Sequence, residues 1–214
     1  MEQKTQSTLR LNRMESLCDG VFAIAMTLLI LEIQVPIKEL IHSESDLLHA
    51  ILNLAPKFFS YLLSFLILGI FWVGHNGQYA FIKNIDRELL WINVLFLLFV
   101  SIIPFSTALL GEFILYKWAV WFYWLNLLLI GFSLLFNWVY AKRKGFIPAL
   151  DEKPEIHRTV KRRILFAQVF YAAGAIAAFI NTYLSLAIFL GIQIAYVLPA
   201  LFDKKVHLLF SNRT

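Results

Sequence analysis

Two sets of side chains near the start of this chain have types and spacings that could do more than pack. The first is Arg13 with Asp19, at the mouth of an apolar run that begins at Leu17 and stops at Pro36. Charges at that depth are costly in hydrocarbon and need partners. Six residues apart, they point about 240° away from each other round a helix, so they cannot pair on it. Each needs a group on another helix. His75, at the end of the second apolar run, matches them in depth, and Trp72 lies three residues earlier on the same face. The cluster reads either as an interhelical network or as a polar anchor closing the helix ends. The second set is Ile24, Thr27 and Leu31, one helical stripe at i, i+3 and i+7. Such a stripe serves plain packing, with Thr27 bonding to its own i−4 carbonyl, or it lines something.

Other chemistry is not encoded. There is no phosphate-cradling glycine loop, no Walker pattern, no zincin motif, and Cys18 is the only cysteine. The five histidines, at 42, 49, 75, 157 and 207, never stand at i, i+3 or i+4, so no helical metal site is expected and no cofactor is implied. An enzyme is not expected.

These side chains must be held by elements suited to lipid. Of 214 residues, 60% are hydrophobic and 15% charged. Soluble domains carry about 25% charged residues. Too little polar surface exists to cover a soluble globule of this size. An all-α chain of six transmembrane helices is predicted, at about 17–35, 54–75, 89–110, 118–140, 164–181 and 183–202. Together they form a single domain over 1–214 with no room for a soluble one. The last two spans must make a tight hairpin, because little but Asn181 and Thr182 separates them. Pro104 predicts a kink in the third span, where Ser101 is placed to serve freed carbonyls. Spans three to six contain no charge, which weakens a proton-coupled pump. Their polar residues, Asn93 and Asn126 among them, read mainly as helix–helix hydrogen-bonding groups.

Lysine and arginine set the orientation. With the N-terminus inside, the cytoplasmic segments hold Lys4, Arg10, Arg13, Lys83, Arg87, Lys142, Arg143, Lys144, Lys153, Arg158, Lys161, Arg162, Arg163, Lys204, Lys205 and Arg213. The other side holds only Lys38, Lys57 and Lys117. Both termini and the basic loop 141–163 are therefore predicted to be cytoplasmic. That loop reads as a topogenic segment or as an anionic-lipid site. The net charge of +5 follows from this asymmetry and calls for no nucleic acid.

The segment R-x-x-x-L-C-D-G-V-F-A-I-A-M-T-L-L from Arg13 resembles the start of the TMEM175 family, specifically its bacterial single-repeat members. The family mark is R-x-x-x-F-S-D. Here Leu17 and Cys18 stand in for its Phe and Ser, while Arg13 and Asp19 match. Phe71-Trp72-Val73-Gly74-His75 resembles its second helix. Trp91-Ile92-Asn93, with Ser101 and Pro104-Phe105-Ser106-Thr107, resembles its third. The resemblance implies a potassium-permeable channel in the bacterial inner membrane. It implies a homotetramer among membrane lipids, with the first helix of each subunit lining the pore. Its apolar pore rings fall on Ile24, Thr27 and Leu31. Its interhelical network falls on Arg13, Asp19, Trp72 and His75.

One physical point agrees with that expectation. No TVGYG-like loop is present, so a carbonyl filter is not encoded, and an apolar constriction between subunits would gate by dewetting. Glu32 would either attract cations at the outer mouth or anchor the helix end. Two other readings stay open: a small-solute transporter, and a structural membrane protein without transport.

Overall fold

A computed structural model describes residues 2–148 and 154–202 of the chain. Among the described residues the regular elements are helices and no strand occurs. Part of the basic loop, including Lys153, and the distal cations Lys204, Lys205 and Arg213 lie outside the described residues.

The first helix, α1 (Glu2–Leu28), is followed by a 3-10 turn at Leu29–Glu32. A regular helix to Val35 was the expectation. Pro36 forces the residue before it out of the helical region, and the chain leaves through extended Ile33. The next helix, α2 (Glu44–Asn53), has no counterpart among the predicted spans. The Ser43 side chain accepts from the Asp46 N–H at 3.1 Å, and the Asp46 carboxylate accepts from the His42 N–H at 3.1 Å. Reciprocal bonds of this kind start a helix at a serine. Pro56 opens α3 (Ala55–Tyr79), which continues past His75.

The predicted third span is two helices, α4 (Arg87–Ser101) and α5 (Ile103–Glu112). Pro104 supplies no N–H, so backbone groups before it lose their helical partners. Ser101 donates to the Leu98 carbonyl at 2.7 Å, as its position suggested. The rest is done from α6 (Lys117–Arg143) by buried Asn126. In the amide orientation that satisfies both of its ends, its nitrogen donates to the Phe99 carbonyl at 3.0 Å and its oxygen accepts from the Ile103 N–H at 3.3 Å and the Ser106 hydroxyl at 3.2 Å. Asn126→Leu leaves these groups buried without that partner, at about 1–3 kcal/mol for each unsatisfied group. A clear drop in melting temperature is expected, while Ser101→Ala, at an exposed site, should move it by far less.

The last two helices, α7 (Pro154–Ala177) and α8 (Thr182–Phe202), form the expected hairpin. The Asn181 side chain accepts from the Tyr183 N–H at 2.7 Å and caps α8. Gly174 is required where the two helices approach, because a Cβ there would sit 2.7 Å from the Phe189 ring.

The core runs between α1, α3, α4, α5 and α6, with the α7–α8 pair packed on α6 and α3. Four helical segments are long and apolar enough to cross a membrane: Leu9–Glu32, Glu44–Tyr79, Arg87–Glu112 and Lys117–Arg143. The chain is a membrane protein by this measure. The α7 helix is not among them because its first turns are basic, and on α8 the stretch Thr182–Leu198 is apolar. Tyr116, Trp118 and Tyr183 are exposed near the α6 and α8 starts, as aromatic side chains are at a membrane–water boundary.

Candidate pore helix and its supporting network

The α1 helix gives only one face to its own chain. Met14, Cys18, Phe22, Ala25 and Leu29 are buried there, at helical spacing. The far side carries Arg13, Leu17, Gly20, Ile24, Thr27 and Leu31, all exposed. Their steps alternate four and three residues, the seam that packs helices in a coiled coil. Ile24 is 60% exposed and Leu31 68%, with no packing inside the chain to account for them. Leu31 itself lies in the 3-10 turn, Leu29–Glu32.

The Thr27 hydroxyl donates to the Ala23 carbonyl at 3.0 Å and the Ile24 carbonyl at 2.9 Å. With its proton turned into the helix, the oxygen presents lone pairs outward. The i−4 bond of the packing alternative is therefore present, and it is compatible with a side chain that faces an open space. Glu32 is exposed at the end of the turn.

Of the predicted network, the structure joins one pair directly. The Trp72 indole N–H donates to the Asp19 carboxylate at 2.8 Å, linking α3 to α1. Arg13 is exposed, and among the described residues it forms no ion pair within the chain. His75 meets neither charge. It is fully buried between the Tyr79 and Phe96 rings, at centroid distances of 4.2 and 5.0 Å.

His75 instead belongs to a small cluster that the sequence did not single out. Its Nε2 lies 2.8 Å from the Asn93 side-chain oxygen, and the Asn93 nitrogen donates to the Cys18 sulfur at 3.1 Å. Cys18 Sγ is 3.7 Å from His75 Nε2. Three helices, α1, α3 and α4, are thus tied at one depth by residues that are all fully buried. The signal was there in part: three polar or thiol groups, each near the same end of its span. The site departs from the family mark at Cys18, and the sulfur fills the acceptor place. Asn93→Leu removes both bonds while keeping the volume, leaving buried His75 and Cys18 only their weak mutual contact at 3.7 Å. A cost of about 1–3 kcal/mol, that of a buried group losing its partner, should appear as a lower melting temperature. Cys18→Ser keeps an acceptor there and should lose much less. Among the described residues no group of three metal-ligating side chains occurs.

The chain resembles known proteins over most of its length. A model of the TMEM175 family, described as the endosomal/lysosomal potassium channel TMEM175, matches residues 13–104. "Potassium channel B446_29190" of Streptomyces collinus is 34% identical over 181 residues, covering 82% of this chain and 85% of the relative. "Potassium channel Cha6605_3372" of Chamaesiphon minutus is 29% identical over 189 residues, covering 87% and 93%. The crystal structure of a lysosomal potassium-selective channel TMEM175 homolog from Chamaesiphon minutus superposes with a TM-score of 0.78 at 28% identity, over 89% of this chain and 98% of that one. The family match begins at Arg13 and takes in Asp19, the exposed seam, Trp72, His75 and Asn93. With a 34% identical relative covering 82% of its length, the chain belongs to the TMEM175 family.

Proposed function

We propose that the chain is a potassium-permeable channel of the bacterial inner membrane. In this reading four copies assemble with α1 at the centre, and the seam of Ile24, Thr27 and Leu31 lines the pore. The relatives are ion channels, not enzymes, and the curated bacterial ones carry potassium channel in their names. The observation that carries the pore reading is the exposed α1 seam. One face of the helix is fully used inside the chain, while the opposite face exposes Ile24 and Leu31 around a hydroxyl. Among the described residues a single copy shows no polar lumen, so in this reading the pathway forms between copies. Rings of Ile24 and Leu31 make a narrow apolar constriction, closed by dewetting rather than by a plug. Thr27 supplies the hydroxyl ring between them. Arg13 lies on the same seam and turns its charge toward neighbouring copies, while Asp19 is held by Trp72 at the helix flank. Glu32 attracts cations to the outer mouth.

All six predicted spans cross the membrane in this reading, α7 and α8 included, at 24 and 21 residues. Both termini lie in the cytoplasm. A thiol introduced as Thr159→Cys in a Cys18→Ser background should react with a membrane-impermeant reagent only after cells are opened. Labelling in intact cells would reverse the orientation.

Ion flux tests the function. Purified protein in liposomes should pass potassium down its gradient without a coupled ion, and faster than sodium under matched conditions. Saturable uptake of one small solute would make it a transporter. No flux of any ion would leave it a structural membrane protein.

A further inference from the structure

The outward faces of α6 and α7 change character at one end of the bundle. On α7, Leu165, Phe166, Val169 and Ile176 are exposed along one stripe, 36–65% each. Apolar side chains so exposed on a membrane helix face lipid tails. One to two turns earlier the same stripe carries Arg158 and Arg162, both exposed. On α6, exposed Leu125, Leu129, Phe132 and Phe136 form the corresponding stripe, and it runs out at exposed Arg143. Two further cations flank the groove between the helices. His157 stacks on Trp138 across that groove, with centroids 6.4 Å apart. Burial there, with Lys142 and Lys161 close by, holds its imidazole below the ordinary range. The only acid on α7 is Glu155, and Asp86 nearby is taken up by the Tyr140 hydroxyl at 2.8 Å and Lys144 at 3.8 Å.

We infer that Lys142, Arg143, Arg158, Lys161 and Arg162 form a binding site for the headgroups of anionic phospholipids on the lipid-facing side of α6 and α7. A general excess of cations inside would be satisfied by charges anywhere in the loops. Here the cations instead continue two tail-facing stripes, which puts them at phosphate depth beside a lipid whose chains lie on Leu165, Val169 and Phe136. Guanidinium groups take phosphate oxygens in pairs, and each cation near an anionic surface adds about a factor of five in affinity. The inference needs the chain to lie in a membrane. It does not need the chain to conduct potassium.

Detergent-purified protein is titrated with phosphatidylglycerol or phosphatidylcholine of the same chains, and bound lipid is counted by native mass spectrometry. The protein should take phosphatidylglycerol at least about tenfold more tightly. Arg158→Gln/Lys161→Gln/Arg162→Gln should abolish the preference and leave phosphatidylcholine binding unchanged. Arg10→Gln/Lys83→Gln/Arg87→Gln, an equal charge loss on the same side, should keep it. Equal binding of both lipids, a preference surviving in the first triple variant, or equal loss in the second would overturn the inference. So would displacement of phosphatidylglycerol by inorganic phosphate at similar concentration, which would make the site one for free anions. If the first variant does not fold, the salt dependence of the unaltered protein decides. The preference should shrink steeply toward 1 M salt, where the screening length is about 3 Å, and a salt-independent preference would contradict the site.

Discussion

Asp19→Ala is expected to break the proposed four-chain assembly before it changes which ion passes. The Asp19 carboxylate accepts from the Trp72 indole N–H at 2.8 Å and ties α1 to α3 in each copy. A hydrogen bond to a charged group contributes about 1.5–3 kcal/mol. The bond lies within each copy, so its loss acts on the proposed assembly through a loosened α1, the helix on which that assembly is built. Size-exclusion chromatography should show Asp19→Ala as dissociated or low-yielding protein. Asp19→Asn, which keeps an acceptor for Trp72, should fall between. A stable Asp19→Ala tetramer with altered ion preference would mean that the carboxylate acts on ions directly.

Ile24→Asn is expected to do the opposite, sparing assembly and degrading discrimination. Ile24 is 60% exposed and takes no part in the core of its own chain. In the proposed pore it forms one apolar ring, so replacing it with an amide puts donors and acceptors where water was excluded. A hydrated ring of the same width no longer requires an ion to shed its water there, and sodium loses its disadvantage. Conductance should rise roughly several-fold and the potassium-to-sodium permeability ratio should move toward one. Leu31→Asn should act in the same direction. Thr27→Ala removes the hydroxyl oxygens and should lower conductance instead.

How much of this was legible beforehand follows from which forces are local. Long apolar runs and the cation asymmetry announce spans, and four of the six have the length and apolarity expected of them. The ends of those spans are less legible. Pro36 signalled a stop, but the 3-10 turn before it depends on packing against α3 and α5. The third span divides at Ile102, where Pro104 pointed, yet the group that repairs the break is Asn126 on a different helix. No local pattern links the two. The α2 helix carried a readable start at Ser43 and Asp46, overlooked because the stretch is too short to span. The site divides the same way. Asp19 and Trp72 meet as their depth implied, whereas His75 turned to Asn93 and Cys18. Depth was readable from the spans. Azimuth was not, because it is decided by which faces of α1, α3 and α4 pack together. The exposed stripe on α1 shows the limit clearly. Periodicity marked Ile24, Thr27 and Leu31 as one face, but only the buried face opposite revealed which one the chain leaves uncovered.

The most direct test of the account is a reversal potential. Purified protein is placed in a planar bilayer with potassium chloride on one side and sodium chloride on the other. The unaltered channel should reverse at a potential showing potassium to be more permeant, and Ile24→Asn should bring that potential close to zero while raising the current. Identical reversal potentials and currents for the unaltered protein, Ile24→Asn, Thr27→Ala and Leu31→Asn would contradict the account, because the α1 seam would then lie outside the ion path.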